Sequence, residues 1–217
     1  MRPSGSGDNP AMILPPLLTL RLSKLLAGVF LYGLAMSLMV RAGLGVAPWD
    51  VLTLGLVHQT GLSFGLLTIL IGLAVLLLWW PLRQPAGLGT VLNALLVGPS
   101  AQFGLWLLPE FDIRWQQVLV FAGGLLLLAL ATGLYIGARF GPGPRDGLMT
   151  GLHARYGWPI WAVRTGIEGS VLLAGWWMGG TVGLGTVAFA VLIGPLVGRA
   201  LPWCDTRLPG VAQPSPA

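Results

Sequence analysis

The chain has 217 residues, 55% hydrophobic and 9% charged, with a mean hydropathy of +0.80 and a formal net charge of +5. Soluble domains carry roughly 25% charged residues, so this composition excludes a cytosolic enzyme and a nucleic-acid-binding module. Cys204 is the only cysteine, which excludes a disulfide scaffold and a cysteine-based metal centre.

Residues 1–12 are polar or rich in Pro and Gly and read as a disordered tail, as do residues 205–217. Pro15-Pro16 breaks the first apolar stretch, and Arg21 and Lys24 follow it, unlike a cleavable signal peptide. Apolar runs then predict membrane spans at 22–40, 62–80, 88–108, 116–137, 158–177 and 184–201. Six spans leave no room for a second folded domain, so 1–217 is one membrane domain. Two shorter segments, 48–60 and 144–156, open on Pro and are too short to cross a bilayer; they read as interfacial or re-entrant helices. Trp79-Trp80, Trp106, Trp115, Trp158, Trp161, Trp176-Trp177 and Trp203 mark the span ends, where a bilayer favours amphipathic rings.

The basic residues set the orientation. With the N-terminus inside, Arg2, Arg21, Lys24, Arg83, Arg139, Arg145, Arg155, Arg199 and Arg207 fall in cytoplasmic segments, against Arg41 and Arg114 outside. Nine against two predicts cytoplasmic termini by the positive-inside bias. Eleven arginines against one lysine suggest a GC-rich bacterial genome, and the location is read as a bacterial inner membrane.

Displacing the chain by 96 residues aligns it with itself without a gap. Pro48-Trp49-Asp50-Val51-Leu52 meets Pro144-Arg145-Asp146-Gly147-Leu148, Gly87-Leu88-Gly89-Thr90-Val91 meets Gly183-Leu184-Gly185-Thr186-Val187, and Gly98-Pro99 meets Gly194-Pro195. Of the 55 pairs from Gly45/Gly141 to Pro99/Pro195, 21 are identical. The expected fold is therefore all-α, a polytopic membrane protein with six transmembrane helices as two inverted three-helix repeats (22–108 and 116–201) plus short interfacial helices. Three crossings per unit force the second copy to start on the opposite side. Inverted repeats characterise many secondary transporters, whose sites lie between the halves near the midplane.

The Pro-Trp-Asp and Gly-Pro-Arg-Asp-Gly segments, the two Gly-Leu-Gly-Thr runs and the closing Gly-Pro pairs resemble the YitT/YczE-like family of bacterial integral membrane proteins. The resemblance covers about 22–200 and fits the short form that lacks a soluble C-terminal domain. It implies an architecture but no substrate and no site residues.

Candidate pathway residues come from the polar groups the spans carry. Arg164 and Glu168 are the charges well inside a span, four apart on one helical face. An intramembrane acid is costly and functional by default, so Glu168 is the leading proton- or cation-coupling candidate, and a structural ion pair is the alternative. Asp50 and Asp146 either face the free N–H groups of their short helices or form a symmetric carboxylate pair on the pathway. Gly98-Pro99 and Gly194-Pro195 are expected helix breaks, since proline frees the carbonyls of Leu95 and Val191; a packing kink is the alternative. Asn93 could hydrogen-bond such a carbonyl or contact a ligand, and Thr90 and Thr186 are read as helix caps. His58 and His153 lack a second ligand at helical spacing, so no metal is expected. The run Gly141–Gly147 lacks the Lys-Ser/Thr of a phosphate loop, and no cofactor is expected.

These readings favour a small secondary transporter or permease for an unknown small solute or ion. The lipid bilayer is its surrounding, homo-oligomerisation is open, and no nucleic acid is involved. Rival readings are a membrane-embedded scaffold or regulator of another enzyme or secretion system, and the substrate-binding subunit of an ATP-driven importer. An enzyme is disfavoured because no catalytic pair lies within the membrane.

Overall fold

The computed structural model describes residues 10–206, with side chains from Leu17 onward. Eight α-helices are present among the described residues, and no strand: α1 Pro10–Ala42, α2 Pro48–Thr60, α3 Phe64–Leu82, α4 Leu88–Leu107, α5 Arg114–Gly137, α6 Pro144–Tyr156, α7 Ile160–Trp177 and α8 Leu184–Cys204. Five of them, α1 (from Leu17), α3, α4, α5 and α8, are long and apolar enough to cross a membrane. The expected span at 158–177 corresponds to α7, which has 18 residues and carries Arg164 and Glu168; these charges keep it out of that set.

Two expectations at the termini are corrected. Pro15-Pro16 does not break the chain: α1 runs through both prolines, its sixth and seventh residues, so the ladder loses two adjacent bonds near its end and continues on the turns that follow. Residues 10–12 belong to that helix. At the other end, Asp205 forms a two-pronged pair with Arg139, and Thr206 Oγ1 accepts from Lys24 Nζ. The Asp205 hydrogen bonds raise the Arg139 pKa above its ordinary value. Residues 1–9 and 207–217, with Arg2 and Arg207, lie outside the described residues.

Local rules explain the short helices. Each has Pro in its first turn and ends on a left-handed glycine, Gly61 at φ 70° and Gly157 at φ 69°, 96 residues apart. Their first turns are the more buried and their last turns exposed: Pro48, Trp49, Asp50 and Val51 are buried and Gln59 and Thr60 face outward, while in α6 Pro144 and Gly147 are buried, Arg145 and Asp146 half-buried, and Arg155 and Tyr156 exposed. Both helices thus dip into the protein N-terminus first.

The two halves, α1–α4 and α5–α8, contact one another reciprocally. Gly89 N–H donates to the Phe140 carbonyl at 2.9 Å, and the counterpart Gly185 N–H donates to the Leu44 carbonyl at 2.7 Å. Gly28 of α1 faces Ala131 and Tyr135 of α5, while Gly124 of α5 faces Ala35 and Met39 of α1. In each case the donor of one half meets the other half's equivalent of its counterpart's partner, the pattern produced by a two-fold relation. Glycine is needed here because the α1 and α5 backbones approach closely; a Cβ on Gly28 would lie 2.7 Å from the Tyr135 nitrogen. The main core runs through this crossing, with Leu25, Val29, Met36, Met39, Leu125 and Leu128 buried.

Trp residues divide into two groups. Trp80, Trp106, Trp115, Trp158, Trp161, Trp176, Trp177 and Trp203 are exposed near helix ends, as a belt requires. Trp79 is instead 3% exposed, packs on Gly147 and donates from Nε1 to the Pro144 carbonyl at 3.0 Å. It braces α6 against α3.

Candidate functional site

A cavity of about 490 Å³ lies where the first turns of α2 and α6 meet, and all eight helices contribute to its wall. That volume is in the range of small-molecule sites, about 300–1,000 Å³. Its polar lining includes Tyr32, Asn93, Thr68, Thr132, Tyr135, Arg145, Asp146, Arg164 and Glu168. Ala47, Pro48, Gly143 and Pro144 also line it, so two helix N-termini face the space. Their free N–H groups and dipoles favour negative charge there.

The repeat places Trp49 and Arg145 at equivalent positions, and they meet: the Arg145 guanidinium lies 5.2 Å from the Trp49 ring centre. Arg145 Nη1 is 3.5 Å from Asp50 Oδ1, whose side chain is 2% exposed. Asp50 sits behind Arg145, off the cavity wall, and holds the guanidinium against the ring. Asp146 does line the cavity, and its Oδ2 accepts from the Tyr135 hydroxyl at 2.8 Å. The equivalent carboxylates therefore have unequal tasks: one anchors a cation, the other faces the space.

Arg164 and Glu168 pair at 2.9 Å, Nε to Oε1, and both line the cavity. Asn93 is on the wall. Gly98-Pro99 and Gly194-Pro195 are not interruptions: α4 and α8 continue through them, because a proline deletes one bond of the ladder and the neighbouring turns hold. Gly194 lines the cavity, whereas Gly98 is buried against Gly65 of α3. Thr186 caps α8 by accepting from the Gly183 N–H at 3.4 Å, but Thr90 instead donates to the Pro142 carbonyl at 2.7 Å, tying α4 to the loop before α6. His153 Nδ1 contacts the Trp158 carbonyl at 2.6 Å, and His58 lies beside Gly179; neither is in the cavity. Among the described residues no three His, Cys, Asp or Glu side chains cluster to hold a metal.

Sequence reasoning passed over Trp49, Tyr135 and the cavity role of Arg145, which it counted as a cytoplasmic charge. The available signal was the one mismatch inside the aligned Pro-x-Asp motifs, tryptophan in one copy and arginine in the other.

An eight-helix molecule with five helices of membrane-crossing length around a cavity lined by charged side chains is a multi-pass α-helical membrane protein. Residues 19–201 match the model of a family of unknown function (DUF6198), and the chain belongs to that family. It is 39% identical to an uncharacterised protein of Haemophilus influenzae over 176 residues, 81% of each chain. It is 34% identical to the uncharacterised membrane protein YczE of Bacillus subtilis, covering 85% of this chain and 87% of that one. The protein YyaS of Bacillus subtilis is 27% identical over 81% of this chain. No solved structure matches. The YczE-like character read from the motifs thus holds.

Proposed function

We propose that the chain is a small secondary transporter or permease of the bacterial cytoplasmic membrane. Its halves are six spans in two inverted sets of three, with α7 as the sixth span and both termini cytoplasmic. The observation that carries this reading is the charged cavity at the meeting point of the two half-helices α2 and α6. Broken or re-entrant segments whose N-termini converge between related halves are where such carriers bind their solute. Charged groups are tolerated at that depth because they pair with one another and line a cavity. Arg164 and Glu168 form one side of the pathway, and Arg145, held by Asp50 and Trp49, forms the other.

Two measurements test this. In a Cys204→Ser background, single cysteines at Thr60 and Tyr156 are offered a membrane-impermeant maleimide on intact cells; labelling at 60 with protection at 156 is expected for inverted halves. Labelling of both or neither removes the inversion. The purified protein is then screened by thermal shift against metabolites, and stabilising compounds are followed into proteoliposomes. Uptake above that of empty vesicles, reduced in Arg145→Ala, is the expected result; absence of any faster uptake ends the transport reading.

A further inference from the structure

Equivalent helix pairs of the two halves are packed differently. α3 lies against α4: a Cβ on Gly98 would strike the Gly65 carbonyl, and one on Gly72 would sit 3.6 Å from the Ala94 Cβ. The counterpart pair, α7 and α8, is not among the closely packed helix pairs. Cβ atoms added to Gly166, Gly169, Gly194 or Gly198 would meet nothing within 4 Å. Gly194 and Gly198 on α8, with Arg164 and Glu168 on α7, also line the cavity, so the space between these helices is a side opening of it. Gly194 is the middle residue of α8, and Glu168 is at the middle of α7. With both helices spanning, an opening at that level faces hydrocarbon and not water.

A second observation points to what enters. Trp49 is 7% exposed, lines the cavity, and its Nε1 has no hydrogen-bond partner among the described residues. A buried indole N–H normally finds an acceptor, and leaving it unmet is unfavourable. Arg145 on the same ring and the two helix N-termini favour an acceptor with negative charge. The whole group is not anion-selective, however. Asp50, Asp146 and Glu168 stand against Arg145 and Arg164, three acids to two bases. A ligand that brings an anionic oxygen alone worsens that balance; one that also brings an ammonium leaves the net charge as it is and sets a positive end beside the acids.

Resting on the transport reading above, we propose that the substrate is a single-chain zwitterionic amphiphile. Its anionic oxygen, of a phosphate or a carboxylate, accepts from Trp49 Nε1 beside Arg145. Its ammonium faces Asp146 and Glu168, and its alkyl chain leaves between α7 and α8 into the bilayer.

The test uses the full chain in phosphatidylglycerol vesicles and a lysophosphatidylcholine carrying a diazirine on its acyl chain. Photoadducts are expected on 193–198 of α8 and on the facing side of α7. Dodecyl phosphocholine and dodecyl betaine should compete, distinguishing a phosphate from a carboxylate head by their relative strength; dodecyl phosphate, dodecyltrimethylammonium and chainless glycerophosphocholine should not. Trp49→Phe should lower the adduct yield on the order of tenfold, as loss of a buried hydrogen bond to a charged group does. Gly194→Leu fills the opening where a side chain has room, and should lower the yield comparably without lowering the unfolding temperature. Adducts spread evenly over all lipid-facing helices, or unchanged in both variants, overturn the proposal. Competition by glycerophosphocholine equal to that of the lysolipid overturns lateral entry and leaves transport of a water-soluble solute standing. A probe that binds at the site but never changes leaflet sinks the transport reading instead and leaves the binding site.

Discussion

Asp50 and Asp146 show how two residues at one repeat position acquire different chemistry. Asp50 is sealed behind Arg145, so Asp50→Asn strands a guanidinium that is itself 20% exposed. Breaking a buried pair on one side costs about 3 kcal/mol, which a chemical or thermal unfolding midpoint will register. Asp146→Asn should cost about 1 kcal/mol or less, because an amide oxygen still accepts from Tyr135. Equal losses would mean that the Arg145 contact contributes little. Glu168 has a different profile. Its partner Arg164 has a side chain 45% exposed, both line the cavity, and the Glu168→Gln amide keeps an oxygen to accept from Arg164 Nε. Glu168→Gln is therefore expected to leave unfolding nearly unchanged while reducing uptake of the transported compound; a loss of stability with uptake intact would make the pair structural.

At the scale of helices, the repeated Gly-Pro pairs separate in the same way. Gly98 is pressed on Gly65, so Gly98→Ala forces α3 and α4 apart and should cost about 1–3 kcal/mol. Gly194 faces open space, and Gly194→Ala should be neutral or stabilising by up to about 1 kcal/mol through helix propensity. Comparing the two melting temperatures checks the packing difference directly. Much of this level could be read from the chain: apolar runs gave the long helices, and Pro48, Pro144, Gly61 and Gly157 marked both ends of α2 and α6. The chain did not distinguish Trp79 from Trp80, because adjacent residues on a helix point about 100° apart and only the neighbour Gly147 decides which is inside. Nor did it find Tyr135, one aromatic in a long apolar helix, whose meaning depends on Asp146 eleven residues later.

For the molecule as a whole, α3 and α4 are packed together while their counterparts α7 and α8 stand apart, and the proposed transport would require the two halves to exchange these arrangements. The pair Gly72 and Ala94 offers a lock, since their Cβ separation of 3.6 Å is within the range of disulfides, about 3.5–4.5 Å. In the Cys204→Ser background, cysteines at both sites should cross-link on oxidation. Uptake should then fall and return on reduction. Uptake that continues through the cross-linked protein would show that α3 and α4 do not need to part.

The bracing of the short helices also has a bearing on descent. Trp79 of α3 fills the space over Gly147 of α6, whereas at the equivalent contact Gly175 of α7 makes room for Val51 and Leu52 of α2. Each contact is complementary, but large and small have changed places. A symmetric pair of identical half-length chains could not hold both solutions, because one gene would put the same residue at both sites: tryptophan and valine together would collide, and glycine on glycine would leave a void. The exchange of bulk requires that the two halves be encoded separately. It therefore records divergence of the two halves, and it makes the present halves poor substitutes for one another in any attempt to rebuild the protein from two copies of either.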